Sequence, residues 1–401
     1  MNYTFDVLIL GGGASGLMCA IAAKKHRPKL NIAIIEKNDR VGKKLLATGN
    51  GRCNLTNLHL SPERYVGSFH VKPLLERYDA TFLRKELEKI GLLTFADKEG
   101  RVYPVSRQAS SVLDVLRFAC ERQHINLFLS EQVRSVRREH NGFIIKTEQH
   151  AFYGDKLVIA CGSKAAPKLG GSAAGTDYLR NFGLSVEPFQ PALCPVGVRS
   201  EVLKSLKGLR AAGAVSLCRN NKIIKTESGE VQCADGALSG ICLFNLSLYA
   251  KKGDILHIDL LSDISEKNLF AILKKNKELF AKQSSDNLLT GILSKRLAQA
   301  VMKLSGIPDF SHFCMDLTEM QLIQIAKKVK HMPFFVTQTC GFDQAQSARG
   351  GLKGSELNKM MESKKIKHLY VCGEAIDICG ECGGFNLHVA FTGGILVGEQ
   401  L

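Results

Sequence analysis

No uninterrupted apolar run in this 401-residue chain is long enough to span a bilayer, which excludes a helical membrane anchor. The apolar N-terminal stretch lacks the basic leading segment of a secretory signal, and Asp6 interrupts it. Cytoplasm is therefore the expected location. A disulfide framework is missing too. The 13 cysteines are odd in number and scattered, and Cys19, Cys161, Cys242 and Cys372 stand among apolar neighbours. Reduced, buried thiols are the expectation. Acidic residues are in deficit, 38 against 54 Lys and Arg, giving a net charge of +16. The lysines are spread along the chain, densest at 274–282, 327–330 and 364–367, and spread lysines ordinarily mark solvated helix faces. A basic groove for RNA or an acidic metabolite is the sharper alternative. No recognisable nucleic-acid-binding motif accompanies it. Internal repeats and low-complexity linkers are also absent. What remains is 45% hydrophobic and 23% charged, an ordinary globular composition with room for two or three domains.

Against these absences stands residues 5–36, FDVLILGGGASGLMCAIAAKKHRPKLNIAIIE. An apolar run, Phe5 to Leu10, leads into Gly11, Gly13 and Gly16 in G-x-G-x-x-G spacing, then a helix-forming stretch and a second apolar run ending at Glu36. Gly11 lets the chain turn out of a strand, Gly13 lets backbone approach a pyrophosphate, and Gly16 lets helix and strand pack closely. The helix start offers free N–H groups and a positive dipole end to phosphate. Glu36 stands where a carboxylate would accept ribose hydroxyls. A 2′-phosphate would meet that carboxylate as a like charge, so FAD or NAD is expected rather than NADP.

Residues 1 to about 188 alternate strand-like and helix-like segments, the pattern of a layered α/β domain. Helices are expected over Ala80–Ile90 and Ser110–His124, and strands over Asn126–Leu129, Phe143–Thr147 and Leu157–Ala160. From Pro195 to about Leu261 the runs Val215–Cys218, Ile223–Thr226, Val231–Cys233 and Ile255–Asp259 suggest a small antiparallel β unit. Leu269–Phe280, Leu288–Leu304 and Leu322–Val329 read as helices, the last behind a capping box at Thr318 and Gln321. The expected architecture is a Rossmann-like FAD-binding domain split in sequence (1–190 and 333–401), with an inserted β domain (191–262) and a helical subdomain (263–332).

Three further segments separate FAD from NAD. Asn38 to Asn57 carries Gly42, Gly49 and Gly51 for close backbone approach, Lys43 and Arg52 for charge, and Asn50, Asn54 and Thr56 for hydrogen bonding. Leu157 to Gly162 ends a strand on small residues, allowing adenosine to pass. Residues 369–394, LYVCGEAIDICGECGGFNLHVAFTGG, run from a strand through a glycine-rich loop into a helix starting near Asn386. Such a helix N-terminus stabilises the negative charge of a reduced flavin ring. A second strand–glycine–helix fingerprint for NAD(P)H is absent, because Gly170 to Gly175 has the wrong spacing and no strand before it. Reduced NAD(P)H, as candidate reductant, would dock directly at the flavin face.

TGNGRCNLTN, GEAIDICGECGGFNLHVAFTGG and the N-terminal glycine motif together resemble the BaiN/YhiN-type family of flavoproteins, the NAD(P)/FAD-dependent, aminoacetone-oxidase-like FAD-binding proteins. The resemblance covers essentially the whole chain. It implies that Ala14, Ser15, Glu36, Lys37, Lys44, Leu45, Arg52 and Cys53 line FAD. It also implies Val133 beside the adenine with Ala160 and Gly162 nearby, and Gly373, Glu374, Asn386 and Leu387 near the ribityl chain and ring. His388 stands where many relatives carry glutamine.

Of the more reactive residues, His388 is the acid/base candidate at the start of the flavin-facing helix, with packing as the alternative. Cys53, flanked by Arg52, is a candidate nucleophile, or a small packing residue. Cys379 and Cys382 form a C-x-x-C that could exchange electrons with flavin, but two small residues in a turn is the leading reading. No second ligand pair supports zinc there. Arg349 and Lys353 could bind an acidic substrate or remain solvated. The expected activity is hydride transfer between a small-molecule substrate or NAD(P)H and flavin N5, in a cleft between the nucleotide domain and the inserted units. Ene-type reduction and amine oxidation are the chemistries the resemblance suggests. The alternatives are a flavin-dependent RNA-modifying protein using the basic surface and a non-catalytic flavin-binding protein.

Overall fold

The first strand, β1 (Asn2–Leu10), and the second, β2 (Ile32–Ile35), form because their apolar runs have buried neighbours on both sides. All four residues of β2 are buried, as are Val7 to Leu10 of β1. That continuous burial is the mark of parallel strands covered on both faces. The computed structural model describes all 401 residues. It divides into two units, Met1–Ala192 with Phe342–Leu401, and Leu193–Gly341.

The first unit is built on a seven-stranded sheet in the order Asn126–Phe128, β2, β1, Ala151–Ile159, Gly142–Thr147, Val133–Glu139. Leu369–Val371 adds in parallel to Leu157–Ile159. The pairs joining β1 to β2 and to Ala151–Ile159 are parallel, and the two remaining hairpin strands are antiparallel. Helix α1 (Ala14–His26) follows β1 and is buried from Ser15 through Ala23. It packs on the C-terminal helix, Phe385–Gly398, whose glycines let the two backbones touch. A Cβ on Gly394 would lie 2.4 Å from the Ser15 carbonyl oxygen, and one on Gly398 2.5 Å from that of Cys19. Those contacts bring the two ends of the sequence together beneath one site.

The second unit is a closed antiparallel barrel, with Val196–Arg199, Ala237–Ser239, Lys222–Cys233, Arg210–Arg219, Ile255–Asp259 and Met332–Thr339 in order around it. Helices Glu266–Leu279, Lys295–Leu304 and Glu319–Lys330 share its core. The capping box is present: the Gln321 N–H donates to Thr318 Oγ1 at 3.3 Å, and the Thr318 N–H to Gln321 Oε1 at 2.8 Å.

Three sequence expectations need correction here. The strand near Pro333 does not return to the nucleotide domain. Met332–Thr339 closes the barrel against Val196–Arg199, and the first unit resumes at Phe342. The inserted strands and helices are one unit, because their apolar faces fill a common core. Leu288–Leu304 is not one helix: Gly291 is left-handed at φ +82° and Ser294 is an extended N-cap, so the helix starts at Lys295. An apolar run gives no sign of that break.

Candidate active site

The glycine fingerprint is a tight turn between β1 and α1. Gly11 takes φ +107°, and a Cβ there would lie 2.4 Å from the Ala160 carbonyl oxygen. A Cβ on Gly16 would lie 2.0 Å from the Gly11 oxygen, so helix and turn close only around glycine. Gly13 differs, because nothing in the protein lies within 4 Å of its Cβ direction. It is the N-cap of α1 and supplies no side-chain cap to the helix. The first-turn N–H groups, at Ala14, Ser15 and Gly16, therefore face this open side without an intrahelical partner. That is the geometry a pyrophosphate requires.

Glu36 directly follows β2 and is almost fully buried. Its Oε2 accepts the Gly12 N–H at 2.8 Å, and its Oε1 accepts the Asn38 N–H at 2.9 Å and the Asn38 side-chain amide at 2.6 Å. A carboxylate offers about four acceptor positions. Three are used in bracing the turn, which leaves one for a ribose hydroxyl. Lys37 beside it is half-buried. Ala160, just past the end of Ala151–Ile159, is buried, and Gly162 turns at φ +72° with open space around it. Val133 opens its strand with its carbonyl accepting the Tyr178 hydroxyl at 3.2 Å.

Glu374 ties the remote segments together. Lys44 Nζ lies 2.6 Å from its Oε2, the Ser163 hydroxyl donates to Oε2 at 3.0 Å, and the Ser347 hydroxyl donates to Oε1 at 2.8 Å. Burial raises the carboxyl's affinity for a proton, but the Lys44 ammonium and the two hydroxyls outweigh it and hold the pKa below the ordinary range. Gly373 next to it is left-handed at φ +70°, and a Cβ there would meet Ser15 Oγ at 2.5 Å. Leu45, one residue past Lys44, is buried.

The loop before Asn57 is conformationally costly. Gly49, Asn50, Gly51 and Cys53 all have positive φ, between 54° and 80°. Two of them carry side chains, a strain that persists only when the surroundings fix it. This loop lies against the start of the C-terminal helix: the Asn57 amide donates to the Gly383 carbonyl at 2.9 Å, and Asn54 Oδ1 is buried there without a partner. Asn386 does not direct its side chain outward. Its amide makes a two-bond ring with the Gly380 backbone, both at 2.8 Å, and so fixes the loop before the helix. Leu387 packs half-buried against the core.

His388, Cys53 and Cys379 are all buried. His388 is fully buried, with Nδ1 2.9 Å from the Thr56 hydroxyl and Nε2 2.9 Å from the Tyr78 carbonyl. The carbonyl requires a proton on Nε2, so Nδ1 accepts from Thr56 and both ring nitrogens are committed. Burial lowers the pKa to about 4, and the ring is a neutral packing residue rather than an acid/base. Cys53 is buried, and burial pushes its thiol up to about 12. Arg52 turns away to the solvent side, its guanidinium 5.4 Å over the Tyr103 ring, and does not activate that sulfur. Burial and the absence of an activating cation favour the packing reading of Cys53. Cys379 is buried 3.4 Å from Ser347 Oγ with its thiol likewise pushed up to about 12, and Cys382 is half-buried. None of the 13 cysteines forms a disulfide. Arg349 donates to Gln190 at 2.6 Å, and Lys353 pairs with Glu187 at 2.8 Å.

Ser163 and Ser347 were not singled out from sequence. Ser163 adjoins Gly162, a usable signal, whereas Ser347 lies on Ser347–Leu352 with nothing local to mark it. The open Gly13, the uncapped α1 and the spare acceptor on Glu36 together fit the ADP half of a flavin nucleotide.

Comparison with known proteins identifies the family. Residues 5–400 match the HI0933-like protein Rossmann domain. A 3-dehydro-bile acid delta(4,6)-reductase of Clostridium scindens is 30% identical over 98% of this chain and 97% of its own. A ribosomal RNA dihydrouridine synthase of Escherichia coli is 29% identical over 97% and 96%. In fold, the chain resembles the 3-ketosteroid-delta4-(5alpha)-dehydrogenase of Rhodococcus jostii, with a TM-score of 0.51 at 13% identity, covering 99% of this chain and 96% of that one. No helix is long and apolar enough to cross a membrane. With its nucleotide turn and its match from residue 5 to residue 400, the chain belongs to the HI0933-like Rossmann family and is a flavoprotein oxidoreductase.

Proposed function

We propose that the chain binds FAD and reduces a carbon–carbon double bond conjugated to a carbonyl. The observation that carries this reading is shared by the full-length relatives. A delta(4,6)-reductase of 3-keto bile acids and a dihydrouridine synthase carry different substrates in their names, yet both saturate a carbonyl-conjugated alkene. Bound flavin would supply a hydride at N5. Saturation of such an alkene would add a hydride equivalent at the carbon β to the carbonyl and a proton at the α carbon, with reduced NAD(P)H as the source of the electron pair. The chain's part is to bind and orient. The α1 N-terminus would take the pyrophosphate, and Glu36 would take a ribose hydroxyl. Glu374, held charged by Lys44, would orient hydroxyls of the ribityl chain, and the C-terminal helix would offer its N-terminus to the ring. Anaerobic titration with NADH and NADPH, followed by conjugated enones, tests the proposal. The visible spectrum should bleach with the nicotinamide and recover with an enone. A colourless protein that stays empty in excess FAD, or reduced protein that no enone reoxidises, sinks it.

A second reading makes uridine in RNA the substrate. It is favoured by the +16 charge and by dihydrouridine synthases of two organisms matching nearly the full chain. Mass spectrometry of ribosomal RNA after incubation with the protein and NADPH should show uridine gaining two hydrogens. Unchanged uridine would dismiss it.

A further inference from the structure

We propose that the outer face of the barrel is a docking platform for unpaired RNA; this deepens the RNA reading above and rests on it. Strand register places Arg199, Phe335, Ile255, Cys218 and Ile223 directly beside one another across five adjacent strands. At about 4.8 Å between strands the row is roughly 19 Å long. Its neighbours in sequence, Val198, Phe334, Leu256 and Leu217, fill the barrel interior, so this row points outward. Phe335 and Ile223 are 44% and 67% exposed. The Arg199 guanidinium lies 5.9 Å over the Phe335 ring.

The next outward row is polar: Thr226, Ser216 and His257 stand side by side, with the Ser216 and Thr226 hydroxyls bonded at 2.9 Å. Cations border the apolar row. The turn carrying exposed Lys251 and Lys252 is fixed beside it, where the Gly253 N–H donates to the Val336 carbonyl at 3.0 Å. Lys222 lies across from Arg219 at the hairpin end. Arg219 is neutralised by Asp254 at 2.8 Å and Lys251 stands within the field of the same carboxylate, whereas Arg199, Lys222 and Lys252 form no ion pair. A flat exposed ring, a hydrogen-bonding row and unpaired cations are what stacked bases on a phosphate chain require. A lipid surface would find the polar row uncompensated.

The test uses the full-length flavin-loaded protein and a fluorescent single-stranded oligouridine. Wild type should bind in a salt-sensitive manner. Phe335→Ala should weaken binding about tenfold, and Lys251→Glu with Lys252→Glu should lower the salt slope by about 2. Circular dichroism and the thermal unfolding midpoint should stay unchanged in both, which reports that the barrel folds, and flavin reduction by nicotinamide should stay unchanged as well. Binding equal to wild type in both variants overturns the proposal. So does the absence of RNA binding at low salt, or capture by anionic vesicles without RNA binding. If RNA binds at this face but no uridine is reduced, the platform stands and the RNA-substrate reading fails. If uridine is reduced and neither variant affects it, the platform alone fails.

Discussion

Gly13 and Gly16 are three residues apart and answer to different demands. Gly16 is required by the fold, because a Cβ would run into the Gly11 carbonyl. Gly13 is required only by a ligand, since its φ of −83° suits any residue and its Cβ direction is empty. Gly13→Ala should therefore leave the melting temperature of the flavin-free protein within about 2 °C while weakening FAD binding by at least about tenfold. Calorimetry and a flavin titration read the two effects separately. Gly16→Ala should lose both. His388 gives a pH signature. Its pKa is depressed from 6.5 to about 4, so the unfolded chain binds the extra proton between those values. The contribution is present above pH 6.5 and lost as pH falls toward 4, amounting to about 3 kcal/mol. Denaturant midpoints from pH 7 to pH 4 should fall less steeply in His388→Gln than in wild type. An equal slope would contradict the buried neutral ring.

At the scale of elements, α1 and the C-terminal helix cross at glycine and small residues, and the contact positions the nucleotide turn. Gly394→Val would drive a side chain into Ser15, at the first turn of α1. The expected cost is about 1–3 kcal/mol, as for an overpacked core, together with weaker flavin binding, because the phosphate-facing N–H groups move with the helix. Urea unfolding with and without FAD measures both. The C-x-x-C loop has a different character. Its first thiol is buried and protonated, so alkylation of the native protein at neutral pH should leave Cys379 and Cys53 unmodified by mass spectrometry and label both after unfolding.

At the scale of the molecule, each unit has its own core, and every residue assigned to the flavin site lies in the first. The barrel unit begins and ends at one place: the Cys340 N–H donates to the Pro195 carbonyl at 3.0 Å. Replacing Leu193–Gly341 with a short glycine–serine linker should leave a folded, yellow protein that binds FAD within about tenfold of wild type, as loops closed at neighbouring ends cost little. Loss of colour after that excision would show that the barrel unit supports the site.

The sequence by itself determined the glycine turn between β1 and α1, the carboxylate that follows β2 and the alternation of strand and helix, because each is written in residues a few places apart. Glycine spacing, apolar periodicity and caps such as Thr318 act over one turn or one strand, so they can be read without knowing the partner. The tertiary structure decided what depends on groups hundreds of residues away. His388 is a core residue because Thr56 and Tyr78 close on its ring, Glu374 is held charged by Lys44, Ser163 and Ser347, and Met332–Thr339 is a barrel strand because Val196–Arg199 accepts it. Burial and electrostatic environment belong to the neighbours a residue acquires in space, and a linear pattern does not contain them.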